Sequence, residues 1–147
     1  MESHGVPTIQ CDPYTSGGGD SHSGECKITY NPDNCQEETF YKATNIGGFT
    51  SVKDIQMEIM KGGPVETGFT VYSDFYSYKS GIYEHMYGQE LGGHAVKIVG
   101  WGVSEDGLTN YWIVANSWGE AWGMSGFFNI AFGECGIDAD VYAGDAA

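Results

Sequence analysis

Arginine is absent from this sequence, and six lysines stand against 20 aspartates and glutamates, a formal net charge of −14 with histidine neutral. Nucleic acid and the anionic face of a membrane both reward clustered basic side chains, so neither is an expected partner. Long hydrophobic runs are missing too: no window approaches the ~18 consecutive apolar residues of a membrane-spanning helix. Met1 is followed at once by polar and turn-forming residues, without a basic and then an apolar segment, so no signal peptide is expected. No Cys-x-x-Cys pair occurs, and His4, His22, His85 and His94 are scattered. That excludes the ordinary spacing of a zinc site, and no metal or other cofactor is expected.

What is present fits one domain. The chain has 147 residues, 41% apolar and 14% aromatic, which excludes a disordered acidic tail. Glycine accounts for 23 of them, about twice the usual share, and gathers at turns rather than every third residue. Cys11, Cys26 and Cys35 crowd into the first quarter, while Cys135 stands alone near the end. Crowded cysteines in loop-like sequence suggest a disulfide staple and an oxidising compartment, with reduced cytosolic thiols as the alternative.

Residues 1–36 read as loop, with Gly17-Gly18-Gly19, Asp12-Pro13 and Asn31-Pro32 as turn chemistry. No strand precedes the triple glycine and no Gly-Lys-Ser/Thr follows it, so it is a surface loop rather than a phosphate cradle. A strand is expected over Thr39 to Ile46. A helix follows, with Ser51 as N-cap, Val52, Ile55 and Ile59 as its apolar stripe, and Gly62-Gly63-Pro64 as its stop. Val65-Thr67-Phe69-Val71 then alternates with period two. His94 to Val99, Asn110 to Ala115 and Gly126 to Phe132 are further strand candidates, and Glu105-Asp106-Gly107 offers a hairpin turn. The period is two over most of the chain and 3.6 only once. The fold class is α+β, mainly an antiparallel sheet with one clear helix against it.

Chemistry concentrates after position 90. Gly92-Gly93-His94-Ala95 places a histidine at the mouth of an apolar strand, behind glycines that admit a ligand or another backbone. Gly100-Trp101-Gly102, Tyr111-Trp112, Asn116-Ser117-Trp118-Gly119 and Trp122-Gly123 follow. Taken singly, such a histidine is more often a satisfied structural residue, and such an asparagine a turn cap.

Taken together, the order of these pieces resembles the C-terminal half of papain-like cysteine peptidases. Gly63-Pro64-Val65-Glu66, Val71-Tyr72-Ser73-Asp74-Phe75, Tyr78-Lys79-Ser80-Gly81, Cys135-Gly136-Ile137 and Cys11-x-Pro-Tyr14 are similar to the cathepsin B-like group. The resemblance runs from about Glu2 to Gly144 and implies the right-hand domain of a two-domain peptidase, a β half-barrel occupying 1–147. It implies that His94 exchanges a proton with a cysteine nucleophile, that Asn116 orients His94, and that Trp118 covers their contact. Gly93 would line the cleft. Gly68, Ala95 and Asp140 would line the pocket for the second residue before the scissile bond, where an acid welcomes Arg or Lys.

The family's Gln-x-Cys-Gly-Ser-Cys-Trp motif, which carries the nucleophile and an oxyanion donor, does not occur in this sequence. The expectation is a thiol endopeptidase's C-terminal part that is inactive alone and pairs with a left-hand half-domain bearing the cysteine. Peptide or protein is the implied substrate. Two rivals remain: a pseudo-peptidase that binds basic peptides or a partner protein, and an enzyme assembled from two chains. The resemblance also implies a Cys11–Cys26 disulfide stapling the 1–36 loop region, and an unpaired Cys135; Cys35 has no counterpart. Only 14 residues separate Cys11 from Cys26, and a single His22 stands where the group has two adjacent histidines that hold a substrate's C-terminal carboxylate. Endopeptidase rather than carboxydipeptidase action is therefore expected, in a lysosome or vacuole or outside the cell. The face bearing His94, Trp118 and Trp122 is expected to be apolar enough for self-association.

Overall fold

A computed structural model describes residues 5–9, 11, 14 and 40–147. Gly17 to Gly19, His22, Cys26 and Cys35 lie outside the described residues, and so does most of the expected loop region. The elements in order are β1 (Ala43–Phe49), α1 (Val52–Gly62), β2 (Val65–Tyr72), a 3-10 turn (Ser73–Ser77) and β3 (Ile82–Tyr83). Then come β4 (Glu90–Val103), β5 (Asn110–Ala115), β6 (Phe127–Ala131), a second 3-10 turn (Glu134–Gly136) and β7 (Val141–Ala146). No helix among the described residues is long and apolar enough to cross a membrane.

The chain divides into two compact units, residues 1–46 with 144–147, and residues 47–143. In the first, Val6 and Tyr41 exchange backbone hydrogen bonds of 2.9 Å, and Asn45 Nδ2 donates to Asp145 Oδ2 at 2.9 Å. The second holds the core. Its helix starts where Ser51 Oγ accepts the Asp54 N–H at 3.1 Å, and it stops where the Gly63 N–H returns to Ile59 O at 3.1 Å. Ile55 is fully buried, and Val52 and Ile59 pack against the same core, so the expected stripe is the buried face.

The strand order is β1-β7-β2-β4-β5-β6-β3. Its pairs are antiparallel from β7 through β6, and β3 runs parallel to β6. Val65, Thr67, Phe69 and Val71 are buried on β2 and share the core with Ile98, Trp112, Val114, Phe128 and Ile130, each of these last five fully buried. Each such apolar side chain contributes about 1.5–3 kcal/mol by leaving water.

Several boundaries differ from expectation. The first strand lies at Ala43–Phe49, later than Thr39 to Ile46. β4 begins at Glu90, so His94 sits inside a 14-residue strand, paired with Phe69, rather than at its mouth. The cause is Gly92: its φ of +116° lies opposite a register shift between Val71 and Tyr72, which lets the ladder run on through what reads as a break. Neither β3, β7 nor the two 3-10 turns carries a period long enough to read.

Candidate active site

β4 and the end of β5 bring the two central side chains together. Asn116 follows the last residue of β5, and its backbone N–H donates to Gly126 O at 2.9 Å, closing the 116–126 loop. His94 Nε2 and Asn116 Oδ1 lie 2.8 Å apart. The same Oδ1 accepts the Ser117 backbone N–H at 2.8 Å, while Asn116 Nδ2 is buried and meets no acceptor among the described residues. Among the described residues no group bonds His94 Nδ1.

Trp118 stacks on the His94 ring, with centroids 5.1 Å apart and planes 27° apart; Phe69 approaches it to 6.0 Å. Trp118 is itself held by Tyr76, stacked at 5.0 Å, and by Trp122 and Phe75 at 5.1 and 5.4 Å. Trp122 Nε1 donates to Tyr76 O at 3.2 Å. Gly123 permits this turn: a Cβ there would sit 2.6 Å from Phe127 O. Both indoles are half-buried in an aromatic cluster around Phe75.

A hollow of about 560 Å³ opens beside His94. Its walls include Gly68, Gly93, Ala95 and Asp140, all singled out from the sequence, and also Glu66, Tyr142 and Cys135. A Cβ at Gly93 would meet nothing within 4 Å, so the glycine leaves the hollow open rather than relieving a clash. Asp140 is exposed at one side, and its negative charge and a hydrogen bond push the Tyr142 phenol up. Thr67 ties this wall to β2: its buried hydroxyl donates to Ile137 O at 2.6 Å.

Cys135 is a free thiol on this wall, and its Sγ donates to Glu134 Oε1 at 3.3 Å. Burial, that hydrogen bond and the charges of Glu134 and Asp74 push its pKa up to about 12. Such a thiol is protonated and inert at ordinary pH.

A second histidine pair escaped the sequence reading. Asp74, in the first 3-10 turn, accepts from Tyr83 OH at 2.8 Å, from Met86 and Tyr87 N–H at 3.0 and 3.3 Å, and from His85 Nδ1 at 3.2 Å. Burial alone would raise the Asp74 carboxyl; these donors outweigh it and hold the group at about 2. Tyr72 stacks on His85 at 3.7 Å. The only trace in the sequence is a histidine 11 residues after an aspartate, too common a spacing to single out.

The pattern described as papain family cysteine protease matches residues 1–144. Over 154 residues the chain is 44% identical to cathepsin B-like protease 1 of Arabidopsis thaliana, covering 96% of this chain and 40% of that protein. It is 60% identical over 94 residues to a gut-specific cysteine proteinase of Caenorhabditis elegans, covering 63% of this chain and 28% of that one. Among solved structures, procathepsin B S9 from Trypanosoma congolense superposes with a TM-score of 0.78 at 33% identity, over 99% of this chain and 50% of that one. Digestive procathepsin L2 from Tenebrio molitor larval midgut gives 0.63 at 29% identity, over 80% and 37%. The chain thus spans half or less of the length of the relatives it matches. Its fold, mainly antiparallel with one α-helix among the described residues, is that of the right-hand domain of such enzymes. With a matching pattern over nearly its whole length, the chain belongs to the papain family of cysteine proteases, among its cathepsin B-like members.

Proposed function

We propose that this chain supplies the proton-transfer half of a cysteine endopeptidase site. The carrying observation is the 2.8 Å contact between His94 Nε2 and Asn116 Oδ1 beneath the Trp118 indole. With Nε2 engaged, Nδ1 is the nitrogen that takes the proton of a cysteine thiol and returns it to the departing amine. Asn116 holds the ring in plane, and Trp118 keeps water from competing for the amide. The thiolate attacks the peptide carbonyl, the C–N bond breaks, and water later releases the acyl group.

The nucleophile and an oxyanion donor must come from residues outside this sequence, on a left-hand half-domain. Cys135 cannot replace the nucleophile, because its thiol is held protonated and directed to Glu134. In this reading Gly93 borders the cleft, and Gly68, Ala95 and Asp140 form the pocket for the second residue before the cut. Glu66 adds a second carboxylate to that hollow and none of the described lysines lines it, which favours Arg or Lys. In this reading Cys11 pairs with Cys26, and the shortness of the 14 residues between them favours endopeptidase action. The parent enzyme acts in a lysosome or vacuole or outside the cell, and the half-domain by itself tends to self-associate.

The test is hydrolysis of a fluorogenic peptide with Arg before Arg near pH 6 under reducing conditions. The chain alone should be silent, and addition of a left-hand half should restore turnover that His94→Ala abolishes. Restored turnover that survives His94→Ala overturns the assignment. The two carboxylates of the hollow favour one other reading, a module that binds basic peptides without cutting them. Binding of an Arg-rich peptide with no turnover after complementation would select it.

A further inference from the structure

We propose that the backbone N–H of Ser117 fixes the direction of the Asn116 amide and so confines neutral His94 to the form protonated on Nε2. The inference rests on the His94–Asn116 pairing above and deepens it.

An asparagine amide has two faces of nearly equal shape and opposite polarity. In either direction it can satisfy a histidine: its oxygen accepts from N–H, or its NH₂ donates to a ring lone pair. The 2.8 Å contact alone therefore does not say which nitrogen of His94 carries the proton. A third group breaks the tie. Ser117 N lies 2.8 Å from the same side-chain atom, and a backbone N–H can only donate. That atom must be the oxygen, so His94 Nε2 must be the donor. Turning the amide over would set its NH₂ against the Ser117 N–H and forfeit that bond, while His94 could be satisfied only in its other form.

Nothing opposes this choice from the other side. Asn116 Nδ2 is buried without an acceptor, so no partner rewards either direction there. The direction is set by Ser117 and His94, and of these only Ser117 has a fixed polarity. Its role is that of a positioning residue, and the backbone rather than the exposed side chain does the positioning.

The consequence for chemistry is direct. With the proton on Nε2, Nδ1 presents a lone pair able to accept a thiol proton. The other form would present an N–H there, which cannot act as a base.

The test reads the proton rather than turnover. In ¹⁵N-histidine-labelled chain at a pH where His94 is neutral, two-bond and three-bond couplings distinguish the two forms, and His94→Gln assigns its signals among the four histidines. Wild type and Ser117→Ala, which keeps the N–H, should show only the Nε2–H form. Ser117→Pro, which removes it, should add a resolved Nδ1–H population. An Nδ1–H or mixed form in wild type overturns the proposal, as does a folded proline variant that stays purely Nε2–H. Should that variant not fold, Asn116→Ala reads the same bond: Ser117 amide exchange should quicken at least tenfold, and unchanged exchange overturns it. Because no catalysis is measured, the lock can hold in a protein that proves to be only a binding module, and can fail in an active one.

Discussion

Two histidines of the same compact unit are each held by one short side chain, through opposite nitrogens. His94 uses Nε2 toward the neutral amide of Asn116, and His85 uses Nδ1 toward the carboxylate of Asp74. The partners differ in what they ask of the ring. An amide oxygen orients the imidazole with no net charge, so the ring stays free to gain and lose a proton elsewhere. A carboxylate with four donors converging on it is an anchor: it ties the 3-10 turn to β3 and to the segment leading into β4. Pairing alone therefore does not mark a reactive histidine. The kind of partner, and what the remaining nitrogen faces, does.

The sharpest way to break this contrast is to delete each ring. With a left-hand half supplying the nucleophile, His94→Ala should lower kcat/KM by about 10²–10⁴-fold, the usual share of general acid–base transfer, with melting temperature nearly kept. His85→Ala should do the reverse: turnover within a few-fold, stability reduced. Peptide hydrolysis and thermal unfolding on both variants decide it, and equal kinetic losses would dissolve the distinction.

The next effect is on stability. Asp74→Ala leaves the Tyr83 hydroxyl and two backbone N–H groups without their acceptor in a site only 7% exposed, which should cost about 2–4 kcal/mol. The same carboxylate gives a pH dependence. Its folded value is about 2 against an ordinary 3.8, so its contribution is complete above about pH 4 and disappears as pH falls through 2. By linkage that contribution is about 2 kcal/mol, and acid unfolding of Asp74→Asn should lack it. A smaller effect falls on the wall of the hollow. Thr67→Val removes the buried hydroxyl bond to Ile137 O and should cost about 1–3 kcal/mol, measured by denaturant midpoint. It should also weaken discrimination for a basic residue at the second position, because Asp140 follows that segment.

Why one pair was legible and the other was not is a matter of sequence distance and pattern. His94 and Asn116 sit inside a string of glycines and tryptophans whose order carries a family resemblance. The helix was legible because its cap, stripe and stop are local, and β2 and β5 because each alternates over six or more residues. The Asp74 anchor has no such string. It is assembled by a 3-10 turn, a two-residue strand and a loop, none of which has a period. The placement of His94 within β4 was missed for a similar reason: Gly92 reads as a break, yet its positive φ absorbs a bulge and the strand continues. The importance of Phe75 was equally hidden, since the residue is fully buried and becomes a hub only when Phe69, Trp118, Trp122 and Phe128 converge on it from other elements.

The smallest expected effect concerns the third reactive group near the first pair. Cys135 borders the same hollow as His94, and proximity alone would make it the obvious nucleophile. Its surroundings argue otherwise. A nucleophilic thiol needs a positive neighbour to stabilise its thiolate, and Cys135 has a carboxylate at 3.3 Å and a second negative charge at Asp74. Burial first, and then this hydrogen bond and these charges, push the thiol up to about 12, so it stays protonated near pH 6. Cys135→Ser should therefore leave turnover of the complemented enzyme within about twofold, and the wild-type thiol should alkylate far more slowly than a free cysteine at pH 8. A large loss in Cys135→Ser, matched by His94→Ala, would instead unite thiol and imidazole in one reaction and make the chain an enzyme in its own right.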